Sequence, residues 1–271
     1  METLLAAYPP GTWMALLATG VLIGLLAGLL GVGGGIVAVP VLLEIFEFTG
    51  MSESLAVSMA VGTAQASILV PSTTAAAAHW RAGTIDRDLV RSWLPALMLG
   101  AVAGLALGSL APSRVLTTLF AVVAAGLALK MAAGDRLIIG HRQPQGLLSH
   151  LPPSIVGSLA AAVGVGGGTL STPTLTLFSF PLKRAIGAGA FFNLIIAAPA
   201  TLVFLSMDLD LPGRPADALG DVALFCAATL SLPALFVAPV AARWSARAPV
   251  SLLRRLFALC LAVIAVRLLL R

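Results

Sequence analysis

Gly31-Val32-Gly33-Gly34-Gly35-Ile36-Val37-Ala38-Val39-Pro40 and Gly164-Val165-Gly166-Gly167-Gly168-Thr169-Leu170-Ser171-Thr172-Pro173 are one element written twice. Gly24, Gly31, Gly33, Gly34, Gly35 and Pro40 map onto Gly157, Gly164, Gly166, Gly167, Gly168 and Pro173 at a constant offset of 133. Both copies are embedded in apolar sequence. A run of glycines ends a helix, and at bilayer depth the freed N–H and C=O groups need partners inside the protein. A break placed twice in the same context therefore decides the fold: each copy is a broken or re-entrant helix.

Composition sets the surroundings of that break. Of 271 residues, 59% are hydrophobic and 10% charged, and the mean hydropathy is +1.04. Soluble domains carry about 25% charged residues, so the chain reads as an integral membrane protein. Apolar runs of helical length recur along the sequence without the polar/apolar alternation of an outer-membrane barrel, which makes it all-α. The formal charge of +5 fits a Lys/Arg bias between membrane faces. It does not point to nucleic acid, since no basic tract is interleaved with aromatics. Met1 to Gly11 holds no Lys or Arg, which argues against a cleaved signal peptide. Cys226 and Cys260 sit in apolar helix sequence and read as small buried hydrophobes.

The duplication extends beyond the glycines. Ala111-Pro112 and Leu119-Phe120 match Ala248-Pro249 and Leu256-Phe257 at an offset of 137, while Gln65 and Pro71 match Asn193 and Pro199 at 128. The chain thus divides into an N-terminal membrane repeat, 1–140, and a C-terminal one, 141–271. Apolar segments fall at 13–47, 54–79, 90–110 and 114–133, then at 150–179, 185–206, 219–242 and 250–270. Leu151–Val163 has 13 residues, which at 1.5 Å per residue reach only about 20 Å of a roughly 30 Å hydrocarbon core.

Lys and Arg choose between topologies. If all eight segments cross, the 16 cations split nine to seven. If both glycine segments are re-entrant, three crossings remain per half and the second repeat is inverted. Twelve cations then share one face, leaving Arg114, Arg214, Arg267 and Arg271 opposite. The loops with Glu44, Glu47, Glu53, Asp208, Asp210, Asp217 and Asp221 join those four. The positive-inside rule favours this arrangement. The expected fold is two inverted repeats, each a glycine-broken or re-entrant helix pair plus three transmembrane helices.

Inverted repeats with interrupted helices place substrate at the interruptions. Gly33, Gly34, Gly35, Gly166, Gly167 and Gly168 would present backbone N–H groups at half-helix N-termini, which suit a compact oxyanion. Thr169 and Ser171 add hydroxyl donors on the second copy only. Gln65 and Asn193, aligned across the repeat, form a pair of amides flanking the site. Close helix packing and interhelical hydrogen bonding are the structural alternatives for these glycines and amides. His79, before Trp80, Arg81 and Asp86 at a helix end, is a candidate gate or proton relay, with interfacial anchoring as its alternative. The glycine run lacks the βαβ context of a dinucleotide loop, and His79, His141 and His150 lack metal-ligand spacing. Neither an enzyme nor a cofactor is expected.

The doubled Gly24–Pro40 and Gly157–Pro173 pattern, with His79-Trp80-Arg81-Ala82-Gly83-Thr84-Ile85-Asp86, resembles the sulfite exporter TauE/SafE family of bacterial anion permeases. The resemblance covers essentially the whole chain. It implies a multi-pass protein of the bacterial inner membrane that transports sulfite, sulfoacetate or another organosulfonate, in the direction of export. No ATP-binding sequence is present, so an ion gradient (proton or sodium) or the anion's own gradient would supply the energy. The reading admits a homo-oligomer. A passive anion channel, or a non-transporting membrane scaffold or assembly factor, remains the alternative.

Overall fold

The computed structural model describes residues 8, 10–133, 140, 146–207 and 213–269. These form ten α-helices: α1 Pro10–Leu30, α2 Gly35–Phe48, α3 Glu53–Arg81, α4 Arg87–Leu110, α5 Ser113–Ala133, α6 Leu151–Val163, α7 Gly167–Leu177, α8 Leu182–Leu205, α9 Leu224–Arg247 and α10 Val250–Leu269. Among the described residues, five helices are long and apolar enough to cross a membrane: α1, α3, α4, α8 and α9. The chain is an all-α, multi-pass membrane protein.

Both glycine clusters break the helix. α1 ends at Leu30 and α2 begins at Gly35, with Gly33 and Gly34 at φ 77° and 83°. That left-handed backbone is costly for any residue carrying a Cβ. Gly34 lies against Ile23, more than two turns back along α1, so the chain has reversed. α6 and α7 repeat the pattern with 13 and 11 residues, both too short to cross alone. The first copy differs: α1 has 21 residues and reaches about 32 Å, because nothing interrupts its apolar run before Gly31.

Small residues set the close pairings. Gly20, Gly24 and Gly28 of α1 abut Leu230, Ala234 and Ala238 of α9, while Gly100, Gly104 and Gly108 of α4 abut Ser154, Ser158 and Ala162 of α6. Residue numbers rise together in both pairs, so each is parallel. Four-residue spacing puts these glycines on one face, where their backbones approach the neighbour closely. Gly24 and Gly157 are therefore packing glycines, unlike those at the breaks.

Exchanging the two halves reproduces the packing. α1 against α9 becomes α6 against α4, α2 against α3 becomes α7 against α8, and the pairs α3–α8 and α5–α10 map onto themselves. One element was absent from the sequence reading, which ran a helix from 219. Ala218–Leu219 pairs antiparallel with Val222–Ala223, and α9 starts only at Leu224. The two-residue loop Gly220-Asp221, with Gly220 at φ 59°, is a hairpin turn.

Candidate functional site at the glycine hairpin tips

The α1–α2 and α6–α7 hairpins meet tip to tip. Gly35 packs on the Gly164 carbonyl, and a methyl group added at Gly168 would overlap the Gly31 carbonyl oxygen. Thr169 Oγ1 lies 2.8 Å from the carbonyl oxygens of both Val32, in the opposite tip, and Val165, in its own. Asn193 of α8 joins the tips: its Oδ1 accepts from Gly168 N–H at 2.7 Å and its Nδ2 donates to Gly31 O at 2.8 Å. Gly33 and Gly166 both pack on the Asn193 amide, and Gly167 on Phe192 and Ile196.

All ten residues singled out for the site are buried. Gly33, Gly35, Gly166, Gly167, Gly168, Thr169 and Asn193 form one contiguous contact, with Gly34 turned to α1. The two amides are not equivalent. Gln65 of α3 reaches Ala160 O with Nε2 at 3.4 Å, and its Oε1 has no hydrogen-bond partner. Ser171 Oγ also lacks one. Burying a polar group without a partner costs about 1–3 kcal/mol, so these two side-chain atoms carry an uncompensated cost at the site. The backbone donor expected to be open at Gly168 is engaged by Asn193 Oδ1.

His79 is buried rather than interfacial. Its Nε2 sits 3.0 Å from Gly28 O and its Nδ1 3.1 Å from Thr84 Oγ1, linking α3 to the last turn of α1. The neighbouring Trp80 takes the exposed position, with Arg87 stacked 4.4 Å above its ring. Further contacts tie the helix ends together on this side. Ser245 donates to Leu29 O at 2.7 Å, Lys183 to Ala246 O at 2.8 Å, and Ala27, Ala75, Ala190 and Ala238 pack together.

The opposite end of α3 is open. A cavity of about 260 Å³ lies between α3, α4, α6 and α8, lined in part by Ser54, Ser58, Val61, Ala161 and Phe204. Val61, which lines it, also packs on Gly164 at the second hairpin tip. Beside it lies a pair that sequence reasoning left among surface charges, Arg214 with Asp221. The available signal was the short run Arg214-Pro215-Ala216-Asp217 followed by Gly220-Asp221 inside apolar flanks. His141, Asp208 and Asp210 lie outside the described residues.

A helical bundle with two broken segments meeting at its centre is a multi-pass membrane protein organised around a buried backbone site. Comparison with known proteins gives the family. The family model of the sulfite exporter TauE/SafE matches residues 16–268. A "probable membrane transporter protein" of Haemophilus influenzae is 32% identical over 259 residues, covering 94% of this chain and 97% of the relative. Proteins with that description from Methanocaldococcus jannaschii and Bacillus subtilis are 27% and 25% identical over 173 and 202 residues. These cover 63% and 66% of this chain, and 64% and 73% of the relatives. No solved structure gives a significant match. The chain belongs to the sulfite exporter TauE/SafE family and is, like its relatives, a membrane transporter.

Proposed function

We propose that this protein is a secondary transporter of the bacterial plasma membrane that exports a small oxyanion or organosulfonate, such as sulfite or sulfoacetate, by alternating access. The observation that carries the reading is the tip-to-tip meeting of the two glycine hairpins, tied by Asn193. Backbone N–H groups at half-helix starts are anion ligands, and glycine lets an anion approach them. Gly33, Gly34, Gly35, Gly166, Gly167 and Gly168 supply the backbone on this reading, with Thr169, Ser171, Gln65 and Asn193 ordering the anion. The Asn193 carbonyl holds the place of an oxyanion on Gly168 N–H until substrate displaces it.

The halves act as inverted repeats, 1–140 and 141–271, rocking against each other. The end around His79 carries Arg81, Arg87, Arg91, Lys183, Arg184, Arg243 and Arg247 and faces the cytoplasm. The cavity end carries Glu53 and Asp221 and faces out. His79, bonded to Gly28 O, is the cytoplasmic latch, and a proton or sodium is the coupling ion. Proteoliposomes loaded with sulfite and diluted into labelled sulfite test the function. Saturable counterflow, abolished by Gly34→Leu and Gly167→Leu at normal expression, is expected. Unsaturable flux without counterflow would make the protein a channel, and flux surviving both substitutions would refute the site.

A further inference from the structure

A second polar cluster stands behind the wall of the cavity, away from the hairpin tips. Arg214 precedes the β-hairpin Ala218–Ala223, and Asp221 occupies its turn. Arg214 Nη2 lies 2.5 Å from Asp221 Oδ1, and both side chains are only 7% exposed. Asp221 Oδ2 accepts from Ser58 Oγ, and Ser58 lines the cavity. Asp221 N–H donates to the carbonyl of Phe204, another lining residue, at 2.9 Å. Ala223 N–H donates to Thr63 Oγ1 at 2.9 Å. The hairpin is thus fixed to α3 and α8, the two helices that form this side of the cavity.

Arg214 is only part-satisfied. Its Nε and Nη1 are buried and have no hydrogen-bond partner. A guanidinium carries five N–H donors, of which Nε holds one and Nη1 two, so three are open. Removing such donors from water is costly unless acceptors replace it. Asp217, the other carboxylate of this loop, is committed elsewhere. Its Oδ1 accepts from Tyr8 OH at 3.3 Å and its Oδ2 from Phe225 N–H at 2.9 Å.

We infer that Arg214 is a second anion-binding station, taking a carboxylate, sulfonate or sulfite group on its way from the hairpin tips out through the cavity, with Asp221 as its built-in counter-charge. This rests on the transport reading above. Asp221 orients the guanidinium and, by offsetting its charge, weakens its hold so that an anion arriving from the hairpin tips is released to the outside. A transport pathway needs such a compromise, since a site that binds too tightly does not release. Arg suits the task better than Lys because its planar donors match the oxygens of a carboxylate or sulfonate.

The two charges therefore act with opposite sign, which a purely structural ion pair would not do. The experiment measures the half-saturating sulfite concentration for proteoliposome uptake, with methanesulfonate and acetate as competitors. Arg214→Gln is expected to raise it tenfold or more, and Arg214→Lys by less. Asp221→Asn is expected to lower it several-fold while slowing the maximal rate. If wild type transports and the Gln and Asn variants shift the same way, or by less than twofold, the pair is a structural staple and the inference is overturned while the transport reading stands. If wild type shows neither anion uptake nor an anion-dependent melting shift, both fall. Should Arg214→Gln fail to accumulate, Asp221→Asn decides alone: a lowered value supports the station, and an unchanged or raised one overturns it.

Discussion

Gly168→Ala tests the contact on which the architecture turns. The new methyl would overlap the Gly31 carbonyl oxygen and lie 2.7 Å from Gly189 O and 2.9 Å from Asn193 Nδ2. Two of those three walls are backbone carbonyls, which no rotamer change can move. Overpacking a well-filled core costs about 1–3 kcal/mol, and rigid walls put this case near the upper end. Gly168 is the second residue of α7, so Ala recovers roughly 0.5–1 kcal/mol of helix propensity. The net loss is about 2 kcal/mol, or about 4–8 °C in melting temperature for a chain of this size. Gly126→Ala is the matched control: it lies inside α5 with nothing within 4 Å of the new methyl, and should gain about 1–3 °C. Intrinsic-fluorescence melts of both variants in one detergent at one scan rate make the comparison. A Gly168→Ala protein melting at or above wild type would refute the tip-to-tip contact, whatever its transport rate.

Asn193→Ala removes the acceptor of Gly168 N–H and the donor to Gly31 O. Each orphaned buried group costs about 1–3 kcal/mol, so a loss of about 2–6 kcal/mol is expected; a melting point within about 2 °C of wild type would contradict the clamp. Tyr8 is the only tyrosine and precedes α1. Burial, then the neighbouring Cys226 and Asp217 side chains, hold its hydroxyl well above its ordinary value of 10. The folded state keeps that proton longer than the unfolded state, so this contribution to stability is complete below pH 10 and is lost as pH climbs beyond it. An ultraviolet titration should therefore show no phenolate at pH 10.5 until detergent-solubilised protein unfolds. A midpoint near 10 in folded protein would show that Tyr8 is not buried against Asp217.

What the sequence made legible follows the range of the forces involved. Glycine breaks and apolar runs are local, and they located α3, α4, α5, α6, α8 and α10 to within a few residues. The β-hairpin was hidden because Val222-Ala223 continues without interruption into the apolar run of α9, so hydropathy could not mark where the helix begins. The amides show the harder limit. Gln65 and Asn193 align across the repeat, and symmetry suggested equal roles. Yet Asn193 bonds Gly31 across 162 positions, while Gln65 finds Ala160 at a longer distance. Two side chains differing by one methylene cannot occupy equivalent backbone niches identically, so a duplicated site becomes asymmetric as soon as its halves diverge. Asn193 is thus bonded to both hairpins, while Gln65 keeps a carbonyl oxygen without a hydrogen-bond partner.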